Sequence, residues 1–116
     1  MKKNNIIEQK SFEFALRIVD LSKLLVNEKE FVISKQLLKS GTSIGANVNE
    51  SISAVSKKDF INKLSIAVKE ARETKYWLRL LQESNLIKLN FTETLYDVEE
   101  LIKILSSIIK TSKSNL

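Results

Sequence analysis

The chain has 116 residues, of which 43% are hydrophobic and 28% charged, values typical of one soluble globular domain. It contains no Cys and no His, which excludes disulfides, the usual Cys/His zinc sites, and nucleophilic catalysis by Cys–His or Ser–His pairs. Its net charge of +5 permits binding to phosphate groups without requiring it. We therefore expect neither an enzyme nor a bound cofactor.

The first residues do not resemble a targeting segment. Residues 1–3 carry positive charge, but Ile6 and Ile7 are followed at once by polar residues, so no apolar signal segment forms. No apolar run approaches the ~18 residues of a membrane span. We expect a cytoplasmic protein without membrane contact. A single domain is expected over residues 1–116, with residues 1–10 and 111–116 as flexible ends.

The first predicted helix covers about residues 11–26, where apolar residues recur at helical spacing. Its core-facing stripe consists of Phe14, Ile18, Leu21 and Leu25. A further apolar set widens this stripe toward a second neighbour and consists of Phe12, Ala15, Leu16 and Val19. The polar residues 27–30 end the helix.

The second predicted helix covers about residues 31–55. Its apolar side consists of Ile33, Leu37, Ile44, Val48, Ile52 and Val55. Small residues dominate its middle, residues 40–47, and include Gly41, Gly45 and Ala46. Each glycine costs a helix about 1 kcal/mol relative to alanine. We therefore expect another backbone to approach this stretch closely, and we predict that these three residues make contacts between copies of the chain or contacts in the core.

The third predicted helix follows Ser56, which begins a capping-box pattern completed by Asp59. Its heptad seam consists of Phe60, Leu64, Ala67, Ala71, Thr74, Leu78 and Leu81. This spacing is typical of helices that pack at shallow angles. Asn85 suits the end of the helix because Asn tolerates a left-handed backbone.

The fourth predicted helix begins after a cap at Asn90 or Thr92. Its seam consists of Leu95, Val98, Ile102, Leu105 and Ile109, flanked by Leu101, Ile104 and Ile108. Four helices joined by short loops predict an all-α fold, an antiparallel up-down-up-down four-helix bundle. The long middle helices carry more apolar surface than one seam requires, which favours a homo-oligomer.

The pattern Ser-Ile-x-x-Asn-x-x-Glu occurs here as Ser43, Ile44, Asn47 and Glu50. With residues 59–61 and 70–78, it resembles the bacterial four-helix bundle family encoded by intervening sequences of 23S rRNA genes. The accessory variability determinant of diversity-generating retroelements is a structural relative of that family. The resemblance implies a ring-like homopentamer with a basic, nucleic-acid-binding character. The relative binds RNA and a reverse transcriptase.

Two polar groups on the predicted helices have alternative interpretations. Ser43, Asn47 and Glu50 share one helix face. They form either a binding cluster or, as we favour, a hydrogen-bonded set that fixes helix register or a subunit contact. Glu70 and Glu73 could contribute to a metal site, but an ion pair between Glu73 and Lys69 is the simpler interpretation. We also expect Trp77 to pack in a core or an interface.

The candidate phosphate-binding residues are basic side chains that recur along the second and third helices. They are Lys35, Lys39, Lys57, Lys58, Lys69, Arg72, Lys75 and Arg79. A solvated helix face is the alternative explanation for one subunit. Repetition of these basic residues around a ring of subunits would instead create an extended positive surface, whose affinity for nucleic acid would fall as the salt concentration rises.

Three hypotheses of function follow from these patterns. The first is a non-enzymatic, pentameric bundle that binds RNA or DNA through its basic residues. The second is a scaffold that recruits a partner protein without touching nucleic acid. The third is a carboxylate-dependent enzyme or metalloprotein, which the missing His makes the least favoured.

Overall fold

The computed structural model describes residues 2–115, which form four helices connected by short loops. The helices are α1 (Lys2–Asn27), α2 (Val32–Ile52), α3 (Lys57–Ser84) and α4 (Thr92–Ser114). No strand occurs within this part of the chain. The fold is therefore all-helical, as the sequence predicts. No helix within residues 2–115 combines the length and apolar character needed to cross a bilayer.

Each helix packs against two others, in the order α1–α2–α3–α4 with α4 returning to α1, and the α1–α4 contact is the least extensive. All four helices contribute to one buried apolar cluster. The predicted seam of α3 is confirmed, because six of its seven members are buried and Phe60 is half-buried. The largest fully buried side chains are Ile7, Ile18, Leu25, Leu37, Ile44, Val48, Leu64, Leu78, Leu81, Phe91, Leu101 and Leu105.

Both predicted ends of α3 are confirmed. The Ser56 hydroxyl accepts a hydrogen bond from the Asp59 backbone N–H at 3.0 Å, the main contact of an N-cap. The Asp59 carboxylate accepts the Val55 N–H at 3.3 Å, one residue before its expected partner. Asn85 adopts a left-handed backbone with φ of 55° and ends the helix.

The start of α2 depends on a carboxylate that the sequence patterns do not identify as a cap. Glu30 accepts the backbone N–H groups of Val32, Ile33 and Ser34 at 3.3, 3.1 and 2.7 Å. The negative charge of this carboxylate also interacts favourably with the positive end of the α2 helix dipole. Lys29 reverses the chain just before it with φ of 63°.

Three predicted helix boundaries differ from the structure. Helix α1 begins at Lys2, not near Ser11, so it includes most of the segment predicted as a flexible end, and Ile7 is only 1% exposed. Helix α2 ends at Ile52, three residues earlier than predicted, and Val55 is 92% exposed in the loop. Helix α4 extends to Ser114, into the predicted C-terminal flexible end.

The two glycines of α2 allow close packing against α1 of the same chain. A Cβ atom added at Gly41 would lie 2.8 Å from side-chain atoms of Ile18, and one at Gly45 would lie 3.1 Å from the Ser11 carbonyl oxygen. The expected close approach of another backbone is therefore confirmed at Gly45. Gly41 is buried against α1, so its close contact lies in the core of its own chain. Contacts between copies at Gly45 and Ala46 stay a prediction.

Candidate nucleic-acid interface

The basic side chains of α3 divide between its exposed surface and its border with α4. Lys69, Arg72 and Arg79 are exposed, and Lys75 is half-buried because it forms an ion pair with Glu99 of α4. Lys75 and Arg79, and likewise Arg72 and Lys69, lie one turn apart on the surface of α3. Lys75 contacts α4 through its ion pair, and Arg72 lies close enough to Glu99 of α4 to lower the pKa of that carboxyl. The α3 strip therefore continues onto the neighbouring helix.

Helix α4 adds three exposed lysines that the sequence analysis did not select: Lys103, Lys110 and Lys113. Lys110 and Lys113 line a groove between the helices together with Ser65 and Ser106. Lys58 lies at the same end of α3, in a groove that also contains Ser65. The periodicity of α4 alone gives no signal for these lysines, because their grouping requires knowledge of which side of α4 meets α3.

We call this combined surface the α3–α4 face. Its cations are Lys58, Lys69, Arg72, Lys75, Arg79, Lys103, Lys110 and Lys113. Two of them have acidic partners within the face or beside it: Lys75 pairs with Glu99, and Arg79 pairs with Glu83 at 3.0 Å. Among the residues that the structure describes, the remaining cations of this face form no ion pair, so they are available to an anion from solvent.

Other acidic residues of α4 point away from this face. Glu100 pairs with Lys10 of α1 at 3.2 Å, and Glu93 pairs with Arg17 of α1 at the same distance. Asp97 also contacts Arg17. Helix α4 thus carries most of its acids toward α1 and its exposed lysines toward α3, which concentrates positive charge on one side of the bundle.

Glu99 is the exception, since it lies among the cations of the α3–α4 face. The hydrogen bond from Lys75 and the attraction of its charge lower the pKa of the Glu99 carboxyl below its usual 4.5. Lys103 and Arg72 lower this pKa further, while partial burial opposes the shift. Glu99 therefore stays ionised at neutral pH.

The remaining predicted phosphate-binding residues lie on α2 and at the start of α3. Lys35 and Lys39 are exposed on α2, which packs on α3 but, within residues 2–115, not on α4. Lys57 is exposed at the start of α3 and donates a hydrogen bond to the Asn115 carbonyl oxygen at 3.3 Å. The structure therefore does not place the two α2 lysines on the α3–α4 face.

The predicted polar cluster of α2 bonds chiefly within its own helix. The Asn47 side chain donates to the Ser43 carbonyl oxygen at 2.8 Å, and the Ser43 hydroxyl donates to the Lys39 carbonyl oxygen at 2.7 Å. Glu50 forms an ion pair with Lys63 of α3 at 3.3 Å. These contacts support a structural role for the cluster. The buried bond between α2 and α3 comes instead from Thr74, whose hydroxyl donates to Ser40 at 2.9 Å.

Trp77 is half-buried and packs against the core, as predicted. Its indole N–H donates to the Glu73 carboxylate at 3.2 Å. This bond replaces the ion pair predicted between Glu73 and Lys69, which is not formed within residues 2–115. The exposed Tyr76 ring meets Trp77 edge-on, with ring centroids 5.0 Å apart.

A second, apolar surface lies on the outer side of α1 and α2, and we call it the α1–α2 face. Its exposed or partly exposed residues on both sides of the helix contact are Phe12, Ala15, Leu16, Val19, Leu38, Thr42, Gly45 and Ala46. A cleft of about 750 Å³ runs between the two helices here. Phe12 forms one wall, and the small residues Gly45 and Ala46 help to form the other.

The chain is similar to a known protein family and to solved structures. The family model of the 23S rRNA-intervening sequence protein matches residues 3–107. A crystal structure of a protein of unknown function from the S23 ribosomal protein family of Bacteroides thetaiotaomicron, at 1.70 Å, has 56% sequence identity. The similarity covers 93% of this chain and 98% of the Bacteroides chain, with a TM-score of 0.89. No curated protein matches the chain.

Proposed function

Because the chain belongs to the 23S rRNA-intervening sequence protein family and carries a group of exposed cations on the α3–α4 face, we propose that it binds RNA or other nucleic acid. In this proposal it is a non-enzymatic, cytoplasmic protein whose antiparallel four-helix bundles assemble into a ring-like homopentamer. The antiparallel course is supported by the α2–α3 contacts, in which Glu50 meets Lys63 and Ser40 meets Thr74.

The α3–α4 face is the observation that carries this proposal. From Lys58 to Arg79 it extends about 30 Å along α3 at 1.5 Å per residue, close to the roughly 34 Å of one duplex turn. The axes of two packed helices lie about 8–10 Å apart, and this distance separates the cations of α3 from those of α4. This arrangement of cations suits phosphate groups on a nucleic-acid backbone, so we expect recognition of charge and shape with little sequence preference.

The proposal is tested by measuring the affinity for a structured RNA over a series of salt concentrations. We expect affinity to fall steeply as salt rises, since each neutralised phosphate releases a counterion. The variant Arg72→Gln/Lys103→Gln should bind about 25- to 60-fold more weakly at 0.1 M salt, because each lost phosphate contact removes about 0.7 to 0.9 logarithmic units of salt dependence.

The matched control is Lys35→Gln/Lys39→Gln, which removes the same charge from α2. We expect it to retain most of the affinity. Absence of binding at low salt, or affinity that does not change with salt, would contradict the proposal. Equal losses in the two double variants would show that net charge, and not the α3–α4 face, determines binding.

Assembly into a homo-oligomer is supported by the α1–α2 face, where Phe12 is 65% exposed beside Leu16. Contiguous apolar surface of this kind is typical of subunit contacts. Light scattering should give about five times the 13.3 kDa of one chain. Phe12→Asp should lower this mass, whereas Tyr96→Asp, which changes a 70% exposed aromatic on α4, should not. A wild-type mass of one chain would contradict the ring.

The same apolar cleft favours a second candidate function, a scaffold that recruits a partner protein. A protein partner should remain bound after nuclease treatment, whereas contacts made through nucleic acid should be lost. Retention of a defined partner that Phe12→Asp releases, together with no affinity for RNA, would favour the scaffold over the nucleic-acid-binding function.

A further inference from the structure

We infer that Glu99 limits the affinity of the α3–α4 face for phosphate by holding Lys75 in an ion pair. The inference rests on the proposed function, since it concerns the same face. It assigns Glu99 mainly to the control of affinity, with only a small contribution to the stability of the bundle. The wild-type chain would then engage fewer cations than its α3–α4 face carries.

The geometry places Glu99 in direct competition with an incoming anion. Its carboxylate accepts from the Lys75 ammonium, and the two side chains are 41% and 37% exposed. A phosphate can therefore reach Lys75 from solvent, but only by displacing the carboxylate or by approaching it closely. Arg72 and Lys103 lie near enough to stabilise the ionised carboxylate as well, so Glu99 offsets positive charge at the middle of the face.

The distribution of acids on α4 makes Glu99 distinctive. Glu93, Asp97 and Glu100 all pair with cations of α1, so Glu99 is the α4 acid that pairs with α3. An exposed ion pair contributes little to stability. Removal of the Glu99 charge should consequently leave the fold intact and act on the face alone.

Glu99→Gln keeps the shape of the side chain and frees Lys75 to contact phosphate. One additional phosphate contact should steepen the salt dependence by about 0.7 to 0.9 logarithmic units. This corresponds to about five- to eightfold tighter binding of a structured RNA at 0.1 M salt.

Glu100→Gln is the matched control, because it removes the same charge from the adjacent residue. Glu100 pairs with Lys10 of α1 at 3.2 Å, on the other side of α4. We expect its affinity and salt dependence to equal those of the wild type. The double variant Glu99→Gln/Lys75→Gln should also return to wild-type affinity, because the freed ammonium is then missing.

The outcomes separate this inference from the proposed function. If the wild type shows no salt-sensitive binding to the RNA, the proposed function fails. If the wild type binds the RNA and Glu99→Gln has the same affinity, only the inference is overturned. The inference is also overturned if Glu99→Gln and Glu100→Gln both bind more tightly than the wild type and to the same extent. Thermal unfolding of each variant completes the test, since a Glu99→Gln chain that unfolds would show that Glu99 acts by holding α3 and α4 together.

Discussion

The α1–α2 and α3–α4 faces lie on helices with the same periodicity, but they differ in the chemistry of the residues outside the buried seams. Between α1 and α2, small residues such as Gly41 and Gly45 bring the helices close together, and large apolar residues such as Phe12 remain outside. Between α3 and α4, the outer positions carry cations such as Arg72 and Lys103. One face is suited to another protein surface and the other to an anion.

This difference shows that the residues outside the buried seams can differ in chemistry from one helix pair to the other while the seams stay apolar. The buried residues of α3, such as Leu64 and Leu78, form the same kind of seam as those of α1, such as Ile18 and Leu25. Because the apolar cleft and the grouped cations lie on different helix pairs, the proposed contacts with a neighbouring copy and with an anion would not compete for the same surface. The following changes test that separation, beginning with the largest expected effect.

Gly41→Val should destabilise the bundle by about 2 to 3 kcal/mol, because the added atoms overpack against Ile18. Ala46→Val adds similar bulk at an exposed position of the same helix. It should cost less than about 1 kcal/mol, mainly through helix propensity. Urea unfolding of both variants measures the difference. Equal losses would contradict the assignment of Gly41 to packing within the chain.

Glu30→Ala should cost about 1 kcal/mol, the usual loss when a helix cap is removed. Its carboxylate serves three N–H groups at the start of α2, so the α1–α2 pairing should weaken while the α3–α4 face is unchanged. Glu28→Ala, an exposed acid in the same turn, is the control. If both variants unfold at the same urea concentration, Glu30 is not a significant cap.

The smallest effect concerns the pH dependence of the Glu99–Lys75 pair. The folded-state pKa of Glu99 lies below the usual 4.5, so the unfolded chain binds the proton more tightly. The stability from this pair is therefore present above pH 4.5 and is lost as pH falls through the lower, folded-state pKa. Melting temperatures of the wild type and Glu99→Gln should converge as pH is lowered. A constant difference would contradict the pairing.

Local signals in the sequence predict the seams well and the surfaces less well. The heptad of α3, its Ser56 cap and its Asn85 end depend on neighbouring residues, and all three are confirmed. The start of α1 is harder to predict because Ile7 lies among polar residues and is buried only through tertiary contact. Glu30 is missed for a related reason, since it caps from a position before the usual N-cap.

The candidate interface could not be identified without knowledge of how the helices are arranged. Lys69 and Arg72 are visible as a strip on one helix, but their continuation through Lys103 and Lys110 depends on which side of α4 meets α3. The same arrangement separates Lys35 from that strip. Charge patterns along single helices therefore identify candidate cations, and only their packing shows which of them share a face.

Acetylation of lysines in the presence and absence of a structured RNA tests the division of surfaces most directly. We expect saturating RNA to protect Lys69, Lys103 and Lys110 while Lys35 and Lys39 keep their reactivity, and we expect high salt to remove the protection. Protection of the two α2 lysines without protection of the α3–α4 face would contradict this division.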